Sequence, residues 1–393
     1  MGNPAWRFDG NERRYVEEVL STGFRAGSDG AFTTRLESLF SEVYGVPFSI
    51  TFNSGTSALH ASLLAMGCGP GDEVLTPALT PLMCGLAPHY TGATPVFVDS
   101  LPDTFLMDPS DIQKKLTDKT KVIFVTHMYG GVCDMDAIMA IAEKNGLMVL
   151  EDCAQCHMGK TASGQYAGTI GDAGSWSFEN SKQLTSGDGG IVTCNEEKLA
   201  TLIRKIGGLG FKALTSTSGK VRTDRDKVQS PDWERFDEIG FNYRLGQVAA
   251  AIALAQMERA QYFIDLRRSM GLAYTDALEN SELLTPQRVI EGYYHTYYTF
   301  SAKFSGESLG VKWEEFRKKY MEFGGDGIYA ASMLQHQEPV FRDRKIGYGE
   351  TPVAVDLQRN LMNFTTNQAN AEERNIQAEA MLKTLKYFGD KLP

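Results

Sequence analysis

Apolar positions along the chain follow two periods. Residues 11–22 and 33–44 carry apolar side chains at helical spacing, among them Leu36, Leu39, Phe40 and Val43. Short apolar runs alternating with helical segments follow. Residues 49–52 read as a strand and 54–66 as a helix. Residues 73–76 and 94–98 read as strands. Lys121 to Thr126 (KVIFVT) is a nearly unbroken apolar strand, 135–144 a helix, and 147–150 (LMVL) a buried strand. Unbroken apolar strands suit a parallel sheet covered on both faces. Strand–helix alternation predicts an α/β, doubly wound architecture.

The pattern breaks at 208–238, a long polar stretch. Loops of that length in compact enzymes are usually functional or mobile. A helical pattern resumes from 243 to about 278. Beyond it, 293–303 reads as a strand, 313–322 as a helix and 369–388 as a final helix. At about 150 residues per domain, 393 residues allow two or three domains. The pattern places the main boundary near 265.

Charge narrows the function. Lys and Arg number 39 against 49 Asp and Glu, a formal net charge of −10. That argues against a nucleic-acid binder, which needs a basic stripe. It leaves room for anionic small molecules in a locally basic pocket. No run approaches the roughly 18 apolar residues of a membrane span, and the N-terminal stretch lacks a signal-peptide pattern. The expectation is a cytoplasmic protein. Six cysteines in so long a chain do not form a disulfide scaffold. The Cys153-Ala-Gln-Cys156 pair lacks the partners of a zinc site, so no metal is expected. There is no P-loop, and the loose G-x-G-x-x-A at 208–213 follows a helix rather than a strand.

Three segments carry chemistry. Asn53-Ser54-Gly55-Thr56-Ser57 stands between a strand and a helix. Unpaired N–H groups at a helix start form an anion site, although Ser also caps ordinary helices. Glu151-Asp152 ends a buried strand, where open α/β sheets bind ligands. Ser177 to Lys182 follows another strand and leads to Gly189-Gly190. A lysine held in a cleft becomes nucleophilic. A phosphate cradle, an acid at a strand end and a lysine about 30 residues later are what pyridoxal phosphate requires.

The chain resembles the DegT/DnrJ/EryC1/StrS family of sugar aminotransferases. The resemblance rests on SGTSAL (54–59), GDEVLTPALT (71–80), GATPVFVD (92–99) and HMYG (127–130). It continues through EDCAQCH (151–157), GTIGDAGSWSF (168–178), SKQLTSGDGG (181–190) and GFNYRLGQVAAAIALAQM (240–257). It covers nearly the whole chain, and is weakest at 211–237 and beyond about 305.

The resemblance implies the type I, aspartate aminotransferase fold. A large domain (1–265) would hold a mainly parallel seven-stranded sheet, and a smaller C-terminal α+β domain would span 266–393. It implies pyridoxal 5'-phosphate, passing through pyridoxamine 5'-phosphate. Lys182 would form the Schiff base and shuttle protons. Asp152 would pair with the pyridine nitrogen, Gln155 would bond the ring 3-oxygen, and Ala154 would pack on one ring face. Gly55, Thr56 and Ser177 would hold the phosphate. Asn242 would reach the phosphate of a second subunit, in a homodimer with shared active sites. His157 and Arg244 are substrate-binding candidates. Lys212, Lys220, Arg222 and Arg225 are further cations for anionic substrates.

The implied reaction moves an amino group from L-glutamate to a keto-sugar, expected to be nucleotide-linked, for a surface polysaccharide or secondary metabolite. Same-family alternatives are a cyclitol or aminobenzoate-precursor transaminase and a sugar dehydratase. Dehydratases replace the lysine with histidine, and here it is Lys182. A cofactor-binding regulator without turnover is the remaining alternative. One position departs from the family: Pro81 stands where an aromatic residue usually stacks on the ring. Pro81 is followed by Leu82-Met83, so either an aliphatic surface packs on the ring or another aromatic such as Phe52 or Tyr129 moves in.

Overall fold

The computed structural model describes residues 4–25, 30–219 and 229–389. Its main sheet has seven strands: β1 (Phe48–Phe52), β2 (Glu73–Pro77), β3 (Thr94–Val98), β4 (Thr120–Thr126), β5 (Met148–Asp152), β6 (Ala173–Ser177) and β7 (Gly190–Cys194). They lie in the order β1-β7-β6-β5-β4-β2-β3. Strands β2 to β6 pair in parallel, while β7 is antiparallel to both β1 and β6. The apolar run in β4 shows why the sheet is covered twice. Ile123 and Val125 enter the core on one face, and Val122 and Phe124 enter the core on the other.

A smaller antiparallel sheet follows, built from β8 (Leu284–Pro286), β9 (Phe300–Phe304), β10 (Ile328–Ala330) and β11 (Leu361–Phe364) in the order β10-β11-β9-β8. It has its own core, in which Phe300, Phe316, Tyr320 and Met381 are buried. The helix Ala260–Ala277 belongs to both cores. Phe263 and Ile264 pack into the large one, and Met270 and Tyr274 into the small one. Residue 265 therefore lies inside a helix that passes from one core to the other.

Three expectations change. The helical pattern from 243 to 278 is two helices, Gln247–Glu258 and Ala260–Ala277. Tyr243 is unavailable for a helix because its main chain is already paired. Its N–H donates to the Gly207 oxygen at 2.9 Å, and its oxygen accepts from Asn53 N–H at 2.8 Å. The strand read at 293–303 is only β9. Before it, Thr296 N–H donates to the Gly130 oxygen at 2.9 Å and Tyr297 takes φ 43°, which breaks extended pairing. The short Pro4–Phe8 helix carries no periodic signal in the sequence. In the 208–238 loop, Lys212 is paired with Glu234 at 2.7 Å. Lys220, Arg222 and Arg225 lie outside the described residues. No described helix is long and apolar enough to cross a membrane.

Candidate active site

The site lies at the carboxyl ends of β4, β5 and β6. Register puts Thr126 beside Asp152, and Asp152 beside Ser175. The Gly55–Ala65 helix begins two residues after β1. Ser54 caps it: its hydroxyl accepts from Ser57 N–H at 3.1 Å, and Ser57 Oγ accepts from Ser54 N–H at 3.2 Å. This capping box leaves the Gly55 and Thr56 N–H groups unpaired among the described residues. A Cβ on Gly55 would lie 2.9 Å from Ser177 Cβ, so only glycine lets the helix start approach the end of β6. The result is a cradle of two free N–H donors and one hydroxyl, suited to a phosphate.

Strand alternation separates the acidic pair. Glu151 is fully buried and holds the 168–171 turn, accepting from Gly168, Ile170 and Gly171 N–H at 2.7–2.8 Å. It also accepts from His127 Nε2 at 3.0 Å, while His127 Nδ1 accepts from Cys133 N–H at 3.1 Å. His127, Glu151 and Cys153 have ligand atoms within 4.8 Å of one another, but these bonds already occupy both Glu151 oxygens. Asp152 faces the site. Its Oδ1 accepts from Ala154 N–H at 2.9 Å, and its Oδ2 accepts from the Cys84 thiol at 3.3 Å. No cation forms an ion pair with it among the described residues. Burial raises its pKa, opposed by the Ala154 N–H, the Cys84 thiol and the charge of Lys182. Such a carboxylate suits a protonated ring nitrogen.

Lys182 sits on a loop fixed from three sides. Arg7 donates to its main-chain oxygen at 2.7 Å. Gln183 Nε2 donates to the Thr296 oxygen at 3.1 Å, and Gln183 Oε1 accepts from His157 N–H at 2.9 Å. The Lys182 ammonium forms no ion pair among the described residues and lies 5.1 Å from the Tyr298 ring centroid.

One cavity of about 320 Å³ brings together Gly55, Thr56, Asp152, Ala154, Gln155, Ser177 and Lys182. Its apolar wall includes Leu59, Pro81 and Met83. Phe52 does not line it and is fully buried, while Tyr129 lines an adjoining cavity of about 460 Å³ that shares Pro81, Gln155 and Lys182. Gln155 Oε1 accepts from Tyr129 N–H at 2.9 Å, leaving its amide N–H groups to donate elsewhere.

Three sequence-derived candidates do not line either cavity. His157 is fully buried behind β6, and its Nε2 donates to the Ser177 oxygen at 3.2 Å. Burial, with the charges of Lys182 and Arg267, lowers its pKa to about 4, so the ring is neutral. Asn242 is exposed on a segment bridged to Gly208. Arg244 is exposed beside a separate cavity of about 190 Å³ that also includes Glu37 and Arg204.

Sequence reasoning missed Arg7, Cys84, Tyr298 and Arg267. For Arg267 a signal was present: it occupies the same helical face as Phe263, Ile264, Met270 and Tyr274, a cation within an apolar stripe.

The free helix-start donors, the unpaired buried acid and the lysine define a pyridoxal-phosphate-dependent aminotransferase of the aspartate aminotransferase type. The chain belongs to the DegT/DnrJ/EryC1/StrS aminotransferase family, whose model matches residues 7–378. It is 37% identical over 370 residues to the GDP-perosamine synthase of Escherichia coli O157:H7, covering 93% of both chains. It is 36% identical over 307 residues to the GDP-perosamine synthase of Caulobacter vibrioides, covering 78% of this chain and 77% of that one. The X-ray structure of the aminotransferase from Psychrobacter cryohalolentis superposes with a TM-score of 0.87 at 27% identity, covering 96% of each chain. The protein is a sugar aminotransferase, and its cofactor is pyridoxal phosphate.

Proposed function

We propose that the protein transfers the amino group of L-glutamate to a nucleotide-linked keto-sugar, working in the cytoplasm as a homodimer. The relatives named for a GDP-linked amino sugar favour GDP as the nucleotide. The observation that carries the proposal is the convergence of Lys182, Asp152 and the Gly55–Thr56 helix start on one cavity.

Bound pyridoxal phosphate supplies a carbonyl that takes up the amine and a ring that accepts an electron pair. Gly55 and Thr56 N–H and the Ser177 hydroxyl bind its phosphate. Asp152 holds a proton on its ring nitrogen. The Gln155 amide donates to the ring oxygen, and the Ala154 methyl fills one face. Pro81 and Met83 supply the apolar contact that an aromatic residue gives in relatives of the usual pattern. Lys182 Nζ would be the acid and base of both half-reactions, holding and moving the proton at the carbon that loses or gains the amine. Asn242, exposed on one subunit, would reach the phosphate of the other, and Arg244, also exposed, is a candidate for the substrates' anionic groups.

The test is L-glutamate with a panel of GDP-, UDP- and dTDP-linked keto-sugars, read by mass spectrometry. Amine product and 2-oxoglutarate are expected in equal amounts with a GDP-linked acceptor. A borohydride-sensitive absorbance band is expected in the wild type and absent in Lys182→Ala. No turnover on any acceptor would sink the proposal.

A further inference from the structure

Arg267 is a buried cation without an acid. It is 6% exposed, and no carboxylate forms an ion pair with it among the described residues. Its Nη1 donates to the Tyr298 oxygen at 2.8 Å and to Thr366 Oγ1 at 3.1 Å. Thr366 Oγ1 in turn donates to the Tyr297 oxygen at 2.6 Å, so this edge of the guanidinium is fixed. No bond occupies Nη2 or Nε among the described residues. The next residue behaves differently: Arg268 stacks on Tyr294, 3.8 Å from its centroid, and bonds the His295 oxygen.

Arg267 lines the 460 Å³ cavity that Lys182 also lines. No Asp or Glu contributes to that wall. The other polar residues are neutral, among them Ser181, Thr299, Asn363 and Thr365. Arg267 Cζ lies 5.8 Å from the Tyr298 ring centroid, and Lys182 Nζ lies 5.1 Å from the same centroid. The two cations therefore share one ring. A desolvated, unpaired charge is costly unless an anion completes it. A guanidinium with one edge fixed and the other free matches a carboxylate through two parallel N–H···O bonds.

We infer that Arg267 is the carboxylate anchor of the amino donor, holding the amino acid with its amine toward Lys182. The free edge of one guanidinium matches one carboxylate, and with Lys182 taken up by the amine transfer Arg267 is the one cation this wall leaves for the two or more charges of a nucleotide diphosphate. The inference rests on the reading of the chain as an aminotransferase with an amino-acid donor, but not on which amino acid is used.

The first test needs no cofactor. Cofactor-free protein is titrated calorimetrically with 2-oxoglutarate and, separately, with GDP. Arg267→Gln is expected to weaken 2-oxoglutarate roughly 10- to 100-fold, the range of one charge-assisted pair. GDP affinity is expected to change far less. Arg267→Lys keeps the charge but not the fork, and should recover only part of the loss. Far-UV circular dichroism and thermal unfolding establish that each variant is folded.

The second test separates this inference from the choice of donor. The donor half-reaction is followed by absorbance with L-glutamate, L-glutamine, L-aspartate and L-alanine. If wild type prefers a donor other than L-glutamate, the glutamate reading fails, and the Arg267 inference stands if Arg267→Gln raises KM for that donor. Equal donor KM and 2-oxoglutarate affinity in wild type and a folded Arg267→Gln overturn it. Loss of GDP affinity with carboxylate binding unchanged also overturns it, and assigns the residue to the sugar nucleotide's phosphates. No carboxylate binding by wild type, with no amino acid consumed, overturns it as well.

Discussion

Arg7 donates through Nη2 to the main-chain oxygen of Lys182 at 2.7 Å and through Nη1 to that of Asn180 at 3.1 Å. The Pro4–Phe8 turn thus clamps the loop that carries Lys182. Gln256 holds the clamp in place, donating to the Arg7 oxygen at 2.7 Å. Arg7→Ala should lower kcat roughly 10- to 100-fold through a misplaced amine, with a smaller change in KM. Steady-state kinetics with both substrates checks this. A variant that loses thermal stability but keeps kcat would show that Arg7 serves folding alone.

Gly55→Ala tests the phosphate cradle. Alanine favours a helix over glycine, so the helix itself gains. The added Cβ, however, meets Ser177 Cβ at 2.9 Å. Cofactor affinity, measured by fluorescence titration of cofactor-free protein, is expected to fall at least about tenfold, since the donors and hydroxyl are pushed apart. Unchanged affinity would place the phosphate elsewhere.

Asp152→Asn should separate stability from activity. Burial raises the Asp152 pKa, so its charge costs stability in the cofactor-free protein at neutral pH, and the cost fades as pH falls through the folded pKa. The neutral amide removes that cost, and cofactor-free Asp152→Asn is expected to unfold at a higher temperature than wild type. Turnover is expected to drop by at least about a hundredfold, the loss that follows removal of one preorganised charge. Differential scanning fluorimetry and a turnover assay on the same preparations decide both points.

Glu151 is the other half of the acidic pair, and its role is structural. Replacing it with leucine strands three main-chain N–H groups and the His127 ring nitrogen in a fully buried site. Glu151→Leu should destabilise the protein by about 3–5 kcal/mol, as expected when one partner of a buried pair is removed. Urea denaturation of the cofactor-free form measures it.

Two buried histidines set an acid limit. His157 is held neutral with a pKa of about 4 and His295 with one of about 3, both because burial disfavours the charged ring. Their unfolded value is about 6.5. The stability they contribute is complete above pH 6.5 and is lost as pH falls toward 4, where the unfolded chain binds protons that the folded chain refuses. Each histidine adds a slope of up to about 1.4 kcal/mol per pH unit. Denaturation at pH 7, 5.5 and 4.5 should show a shallower slope in His157→Gln. Parallel slopes would refute it.

The sequence exposed those parts of the site that are built locally. Ser54–Ser57 caps its own helix, and Asp152 and Ser177 end their own strands. In each case residue type and neighbours reveal position. Arg7 and Tyr298 reach Lys182 across long stretches of chain, and nothing in their surroundings announces the meeting. The acidic pair looked like one feature, yet strand alternation turns Asp152 to the cavity and Glu151 to the core. The long helix read from 243 was cut short because Tyr243 bonds Gly207 and Asn53, a tertiary demand that overrides helix propensity.

The Ala260–Ala277 helix passes through both cores and carries Arg267 between the segments buried in each. A molecule joined this way has a spine where many two-part enzymes have a flexible joint. Arg267 stands where the large-core segment of that spine, Phe263 and Ile264, gives way to the small-core segment, Met270 and Tyr274. A change at any point of that helix is therefore felt in both cores and at Arg267 together.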